Sequence, residues 1–193
     1  EMIYSKNACG GFVNWAASEN SIGGTPGKKN STESVNADVS FPRLLRAYAT
    51  DSMNIVLVFN EALDSVNAAI ADNYIINDGI GTAVQAVPLN YLFNSVALRL
   101  PNPLLRNKIY TVTASVMDCY GNAIGASNTA QVGLTEKLQR YDVVINEILF
   151  NPSPKSNDYV ELYNRSNKII SLRNAYIANR NTSGTISSIT QVS

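Results

Sequence analysis

Histidine is absent from the chain. That absence removes the Ser-His-Asp and Cys-His arrangements, which need imidazole as the base. It also removes histidine-containing zinc and non-haem iron sites. Cysteine is nearly absent: only Cys9 and Cys119 occur, and their separation has no metal-ligand spacing. They are either two buried free thiols or one long-range disulfide. Free thiols are the expectation, because one pair defines no disulfide framework. Charge is also scarce, at 16% of residues, and it balances, with 15 basic against 15 acidic side chains. A nucleic-acid partner needs a basic stripe to neutralise phosphate, and none is visible. Anionic lipid surfaces are disfavoured for the same reason. No apolar run approaches the roughly 18 to 20 residues that cross a bilayer, so no membrane span is expected. No signal peptide is visible. A start at Glu1 rather than Met reads as a piece of a longer polypeptide.

What is present is ample core material, 45% hydrophobic over 193 residues. That argues against disorder. Helix signals are weak. The best, EALDSVNAAIA at 61–71, is long enough for one or two turns. The rest reads as short strands with turn punctuation. Ile55, Leu57 and Phe59 share one face of NIVLVFN. Val96, Leu98 and Leu100 point inward along 94–100, with Arg99 outward. Along 109–116, Tyr110, Val112, Ala114 and Val116 oppose Thr111, Thr113 and Ser115. A period of two marks a half-buried strand of an antiparallel sheet. Turns are marked by Asn77-Asp78-Gly79, Pro101-Asn102-Pro103 and Tyr120-Gly121-Asn122. Strands at such intervals suggest a β-sandwich. A second block begins after 133–140. It has strands at 143–150, 159–164 and 169–178, a loop NPSPKSND that reads as a surface excursion, and a final strand-like TISSITQV. About 50 residues is marginal for an independent core, so this block reads as incomplete.

Three groups of residues carry resemblances. IVLVFNEALD at 55–64, Asn73-Tyr74-Ile75-Ile76, SVALRL and YTVTASVMDCYGNAI at 110–124 occur in this order. Together they resemble the bacterial Ig-like domains of S-layer-type and other surface proteins. VVINEILFNP at 143–152 followed by DYVELYNRSNKIISLRNAYI at 158–177 resembles the start of a lamin-tail domain. The opening EMIYSKNACGGFVNWAASENSIGGTPGKKNS looks like the end of one. The resemblance implies an all-β chain: an Ig-like β-sandwich with flanking partial lamin-tail (Ig-like) β segments. The implied parts are a lamin-tail end at 1–33, a linker at 34–40 and a bacterial Ig-like domain at 41–135. A linker at 136–141 and the N-terminal part of a lamin-tail domain at 142–193 follow. Such modules are strung together in secreted or surface proteins of the Bacteroidetes type. An incomplete sandwich exposes unpaired strand edges. Residues 1–33 and 142–193 are therefore expected to pack on each other, on the Ig-like domain or on a neighbouring chain.

The chemistry-bearing groups mostly have a structural reading. Glu147 and Glu161 form a carboxylate pair on neighbouring strands. Such a pair serves general acid–base chemistry or calcium. The preferred reading is structural, with bonds to backbone inside the sandwich. Asp118, Gly121 and Asn122 in DCYGN offer too few oxygens for a calcium loop and read as a structural turn. GGTPGKK at 23–29 lacks the spacing and the following helix of a phosphate loop. Trp15, the only tryptophan, reads as a plug at a core edge. Exposed instead, Trp15 and Tyr163 are the candidate ligand contacts for a sugar. Asp51-Ser52-Met53 and Asp64-Ser65-Val66 resemble the O-glycosylation tripeptide of Bacteroidetes secreted proteins, with Ser52 and Ser65 as acceptors. Sequons at Asn30, Asn164 and Asn181 matter only in a eukaryotic secretory setting.

The expected function is non-catalytic: a spacer or interaction segment of a multidomain secreted or cell-surface bacterial protein, serving adhesion or assembly. No cofactor and no metal ligands are assigned. The expected partners are other domains of the same polypeptide or another surface protein, and glycan as an alternative. The expected location is extracellular or on the cell surface, facing the periplasm or outer membrane. A second reading is a glycan- or protein-binding module using exposed Tyr or Trp. A third is an accessory region of an extracellular nuclease or phosphatase whose catalytic domain lies outside this chain.

Overall fold

The alternation at 110–114 buries every second side chain: Tyr110, Val112 and Ala114 are each at most 1% exposed, while Thr111 and Thr113 are half-buried. The same period runs through Ile55, Leu57 and Phe59 and through Val96, Leu98 and Leu100. These three strands lie in the interiors of two facing sheets, seen here in a computed structural model. The structure describes residues 1–7, 10–89, 91–150 and 157–192. Two units are distinguished, Glu1–Leu134 and Thr135–Ser193.

In the first unit the strands are β1 (Leu44–Ala49), β2 (Asn54–Phe59), β3 (Tyr74–Ile76) and β4 (Gly81–Thr82), then β5 (Gln85–Pro88), β6 (Ser95–Arg99), β7 (Tyr110–Ala114) and β8 (Thr129–Val132). One sheet has the order β1-β2-β6-β5 and the other β4-β3-β7-β8, with every pairing antiparallel. Their inner faces share one core built on Ile55, Leu57, Phe59, Tyr74, Leu98 and Tyr110. Each such fully buried aliphatic side chain contributes roughly 1.5–3 kcal/mol. Two buried tyrosines keep their hydroxyls satisfied. Tyr74 donates to the Ala68 carbonyl at 2.8 Å, and the Tyr110 hydroxyl accepts from the Leu105 amide at 3.1 Å. This all-β sandwich is the expected architecture.

The helix at 61–71 is a single turn, α1 (Ser65–Ala68), followed by a 3-10 turn at Ala71–Asn73. Asp64 caps α1 by accepting from the Asn67 amide at 2.6 Å. Ile70 is already extended, which stops propagation.

The N-terminal segment belongs to this same unit. The loop 14–31 closes on the carboxylate of Glu1. Its Oε2 accepts from the Ser31 amide at 2.8 Å and the Ser31 hydroxyl at 2.6 Å, and Oε1 from Ser18 at 3.1 Å and from Thr25. These donors hold the Glu1 carboxyl down at about 2, with the Ser31 and Thr25 hydroxyls the largest causes. Gly23 and Gly27 take φ of 84° and 72° to turn the chain here. The stretch 34–40, expected as a linker, is bonded on both sides. Ser34 N donates to Ile3 O at 3.0 Å, and Asn122 Nδ2 donates to the Asp38 carbonyl at 3.2 Å.

The second unit pairs β9 (Val143–Leu149) with β10 (Tyr159–Asn164), and β11 (Tyr176–Arg180) with β12 (Ile186–Gln191). The strand expected at 169–178 begins only at Tyr176. Ahead of it, the Ile169 carbonyl is taken by the Glu136 amide at 2.8 Å instead of a strand partner. Lys168 pairs with Asp142 at 3.0 Å. Among the described residues, no hydrophobic side chain beyond Val132 is buried. The loop NPSPKSND lies almost wholly outside the described residues, as does Cys9.

Candidate functional site

The turn after β7 is organised by a buried carboxylate. Asp118 is 3% exposed. Its Oδ1 accepts from the amides of Tyr120, Gly121 and Asn122 at 2.8–2.9 Å, and its Oδ2 from Asn122 Nδ2 at 2.9 Å. Gly121 sits at φ 99°, a conformation that a side chain would strain. Asn122 spans two segments, since the same Nδ2 reaches the Asp38 carbonyl. Tyr120 shares a hydrogen bond with Tyr4, and burial is the largest cause raising its phenol. Cys119, within this turn, is disulfide-bonded. That corrects the expectation of free thiols. One bridge leaves no spacing signature, so sequence alone had no signal for it.

Two further carboxylates join Asp118. Asp38 precedes β1, and Glu61 follows β2. One carboxylate oxygen from each of the three lies within 4.8 Å of the others. Burial raises the Glu61 carboxyl, and the fields of Asp38 and Asp118 add to the rise. Sequence reading singled out Asp118 but missed Asp38 and Glu61, because no short motif links three distant segments.

Asn14 was missed as well. It is 1% exposed, and its side chain makes four hydrogen bonds. Its Oδ1 accepts from Tyr4 N at 2.9 Å and Asn36 Nδ2 at 3.1 Å. Its Nδ2 donates to the carbonyls of Tyr4 at 2.8 Å and Asn7 at 2.6 Å. Its neighbour Trp15 is 57% exposed and plugs no core, contrary to the plug reading. The chain leaves the 3-10 turn Gly11–Asn14 extended at Trp15, which carries the indole outward while Asn14 points in. Tyr163, on β10 of the second unit, is 56% exposed. The two candidate ligand contacts therefore stand in different units.

Glu147 and Glu161 face each other directly across β9 and β10, with a bulge after Glu161. Both are exposed. They bond to side chains rather than to the backbone: Tyr159 Oη donates to Glu147 at 2.7 Å and Asn146 Nδ2 to Glu161 at 3.0 Å. The bond to Glu147 is the largest cause raising the Tyr159 phenol. The expectation of backbone-bonded carboxylates is thereby corrected. The strands are paired on only one edge and bury little, so both glutamates reach solvent.

The remaining positions make local turn contacts or longer-range contacts to backbone. The Ser52 carbonyl accepts from the Leu104 amide at 2.8 Å, and Ser65 opens α1. The side-chain amides of Asn30 and Asn164 donate to the carbonyls of Met2 and Lys168 at 3.0 and 2.9 Å. Asn181 Oδ1 accepts from the Thr185 amide at 2.8 Å. Among the described residues, no helix is long and apolar enough to cross a membrane.

No curated protein matches the chain. Several solved structures are similar to part of it. Domains 1–6 of the surface layer protein SbsC align with 77% of this chain and 22% of their own, at 20% identity and TM-score 0.42. The N-terminal part of the bacterial S-layer protein SbsC aligns with 75% of this chain and 37% of its own, at 19% identity and TM-score 0.40. CopC from Methylosinus trichosporium OB3b aligns with 51% of this chain and 99% of its own, at 19% identity and TM-score 0.35. The chain thus spans roughly a fifth to two fifths of the SbsC structures. Residues 36–136, just over half of the chain, match the bacterial Ig-like domain family, and the chain belongs to that family.

Proposed function

We propose that this chain is a non-catalytic structural and interaction segment of a multidomain secreted or cell-surface bacterial protein. It spaces or presents neighbouring modules for adhesion or assembly. The observation that carries this reading is the bonding of residues 1–40 to the turn after β7, through Tyr4–Tyr120 and Asn122–Asp38. A segment bonded in this way transmits a fixed orientation from one part of the polypeptide to the next, which is what a spacer does. The disulfide at Cys119 supports an oxidising location, such as the cell exterior. In this reading residues 1–33 and 142–193 are lamin-tail parts beside the domain at 41–135. The partners are other domains of the same polypeptide or another surface protein. Protease treatment of intact producing cells tests it. Loss of the Ig-like segment from intact cells is expected. Protection until the cells are lysed would contradict a surface location.

A second reading is favoured by one observation, the exposure of Trp15. An indole standing clear of the core stacks well on a sugar face. A glycan array probed with the chain and with Trp15→Ala separates the two. Binding lost in the variant supports a glycan-binding module, and equal signal from both excludes Trp15 as its contact.

A further inference from the structure

We propose that Asp38, Glu61 and Asp118, with the side-chain oxygen of Asn7, form a calcium site that fastens the N-terminal segment to the sandwich. The three carboxylates come from three separate places: the stretch before β1, the turn after β2 and the turn after β7. One oxygen of each lies within 4.8 Å of the others. Oxygens bound to one calcium ion at about 2.3–2.6 Å are separated by no more than about 5 Å, so this spacing fits a shared ion without rearrangement. Among the described residues, the ion pairs lie elsewhere and none engages any of the three. The positive charge of Arg43 acts on Glu61 without a close ion pair, one cation against three carboxylates, and a divalent ion offsets the remaining repulsion.

An independent observation points to the same ligand. Asn7 is 3% exposed, and its Nδ2 donates to the Asn36 carbonyl at 2.9 Å. Among the described residues, its Oδ1 is buried with no hydrogen-bond partner. A buried amide oxygen left alone is uncommon and calls for an explanation. Asn7 lines the same cavity of about 350 Å³ as Asp38 and Glu61. A cation there supplies the missing partner.

The donors are all oxygen. That selects a hard cation over zinc or copper, and no histidine is available to either. Calcium accepts six to eight oxygens in loose geometry, and water completes a shell begun by four protein groups. Asp118 spends Oδ1 on three turn amides, whereas among the described residues Oδ2 accepts from Asn122 Nδ2 and keeps a lone pair free.

Terbium is the probe, because it occupies calcium sites and is sensitised by nearby phenols. Tyr120, which feels the charge of Asp38, supplies one. The full chain, stripped of metal, is titrated with terbium and then with calcium, alongside Glu61→Gln and Asp38→Asn. Both variants keep the side-chain shape, and circular dichroism without metal checks their fold. Saturable emission displaced by calcium is expected, weakened about tenfold or more in each variant, because affinity follows ligand charge count. The melting temperature of the parent protein is expected to rise with calcium and that of Glu61→Gln to stay put. Two results overturn the proposal: no saturable emission up to millimolar metal, or equal affinity in parent and variants.

Discussion

Asn122 donates one side-chain amide to both the Asp38 carbonyl and the Asp118 carboxylate, at 3.2 and 2.9 Å, tying itself to a position 84 residues earlier in the chain. Asn122→Ala leaves the Asp38 carbonyl and the Asp118 Oδ2 without this donor. A loss of about 1–3 kcal/mol is expected, the cost of stranding partly buried acceptors. Urea unfolding at constant m measures it. Faster proteolysis near 34–41 is expected to accompany it.

Tyr74→Phe isolates a single buried bond. The Tyr74 ring is fully buried, and its hydroxyl reaches the Ala68 carbonyl at the end of α1. Removing the oxygen keeps the packing and strands that carbonyl, for a loss of about 1–2 kcal/mol. Leu57→Ala opens a cavity between the sheets and is expected to cost more, about 2–5 kcal/mol. Chemical denaturation of both variants checks the order.

The disulfide at Cys119 sits in the turn that Asp118 organises. No thiol is expected to react with a maleimide in the native, unreduced protein. Reduction is expected to lower the unfolding free energy by about 2–4 kcal/mol. Labelling before and after reduction, with melts of both forms, tests this.

The acid limb of stability differs between the units. In the second unit, Lys168 and the Gln139 amide hold the Asp142 carboxyl below its ordinary value of 3.8, with the Lys168 bond the largest cause. Its contribution is complete above that value and is lost as pH falls through the lower, folded value. In the first unit Glu1 behaves alike, with its contribution present above 4.5 and lost towards about 2. Glu61 has the opposite sign. Its raised carboxyl favours the folded state when protonated, and this stabilisation fades as pH rises above 4.5. Lys168→Met is expected to flatten the acid limb of the second unit, and Glu61→Gln to remove the loss on the rising side. Unfolding midpoints followed from pH 2 to 7 in chelator report both.

The interior strands were legible in the sequence because β6 and β7 bury alternate residues and β2 buries Ile55, Leu57 and Phe59, with Val56 buried as well, and period two is visible without any structure. The edge strands were not. β1 buries only Leu44, β5 only Ala86 and β8 only Val132, so none has a repeating pattern to read. The candidate site was half legible. The DCYGN turn showed itself through local Asp, Gly and Asn chemistry. Asp38, Glu61 and Asn14 act only through partners brought near by the fold, and no spacing rule connects them.

Amide hydrogen exchange tests most directly whether the N-terminal segment is an integral part of the Ig-like unit. Ile3 N donates to Asn14 O at 2.8 Å, Tyr4 N to Asn14 Oδ1 at 2.9 Å, and Ser34 N to Ile3 O at 3.0 Å. These three amides are expected to exchange only through global opening, at the free energy and denaturant dependence of the amides of β7. Rapid, denaturant-independent exchange of the three while β7 stays protected would contradict a segment built into the sandwich.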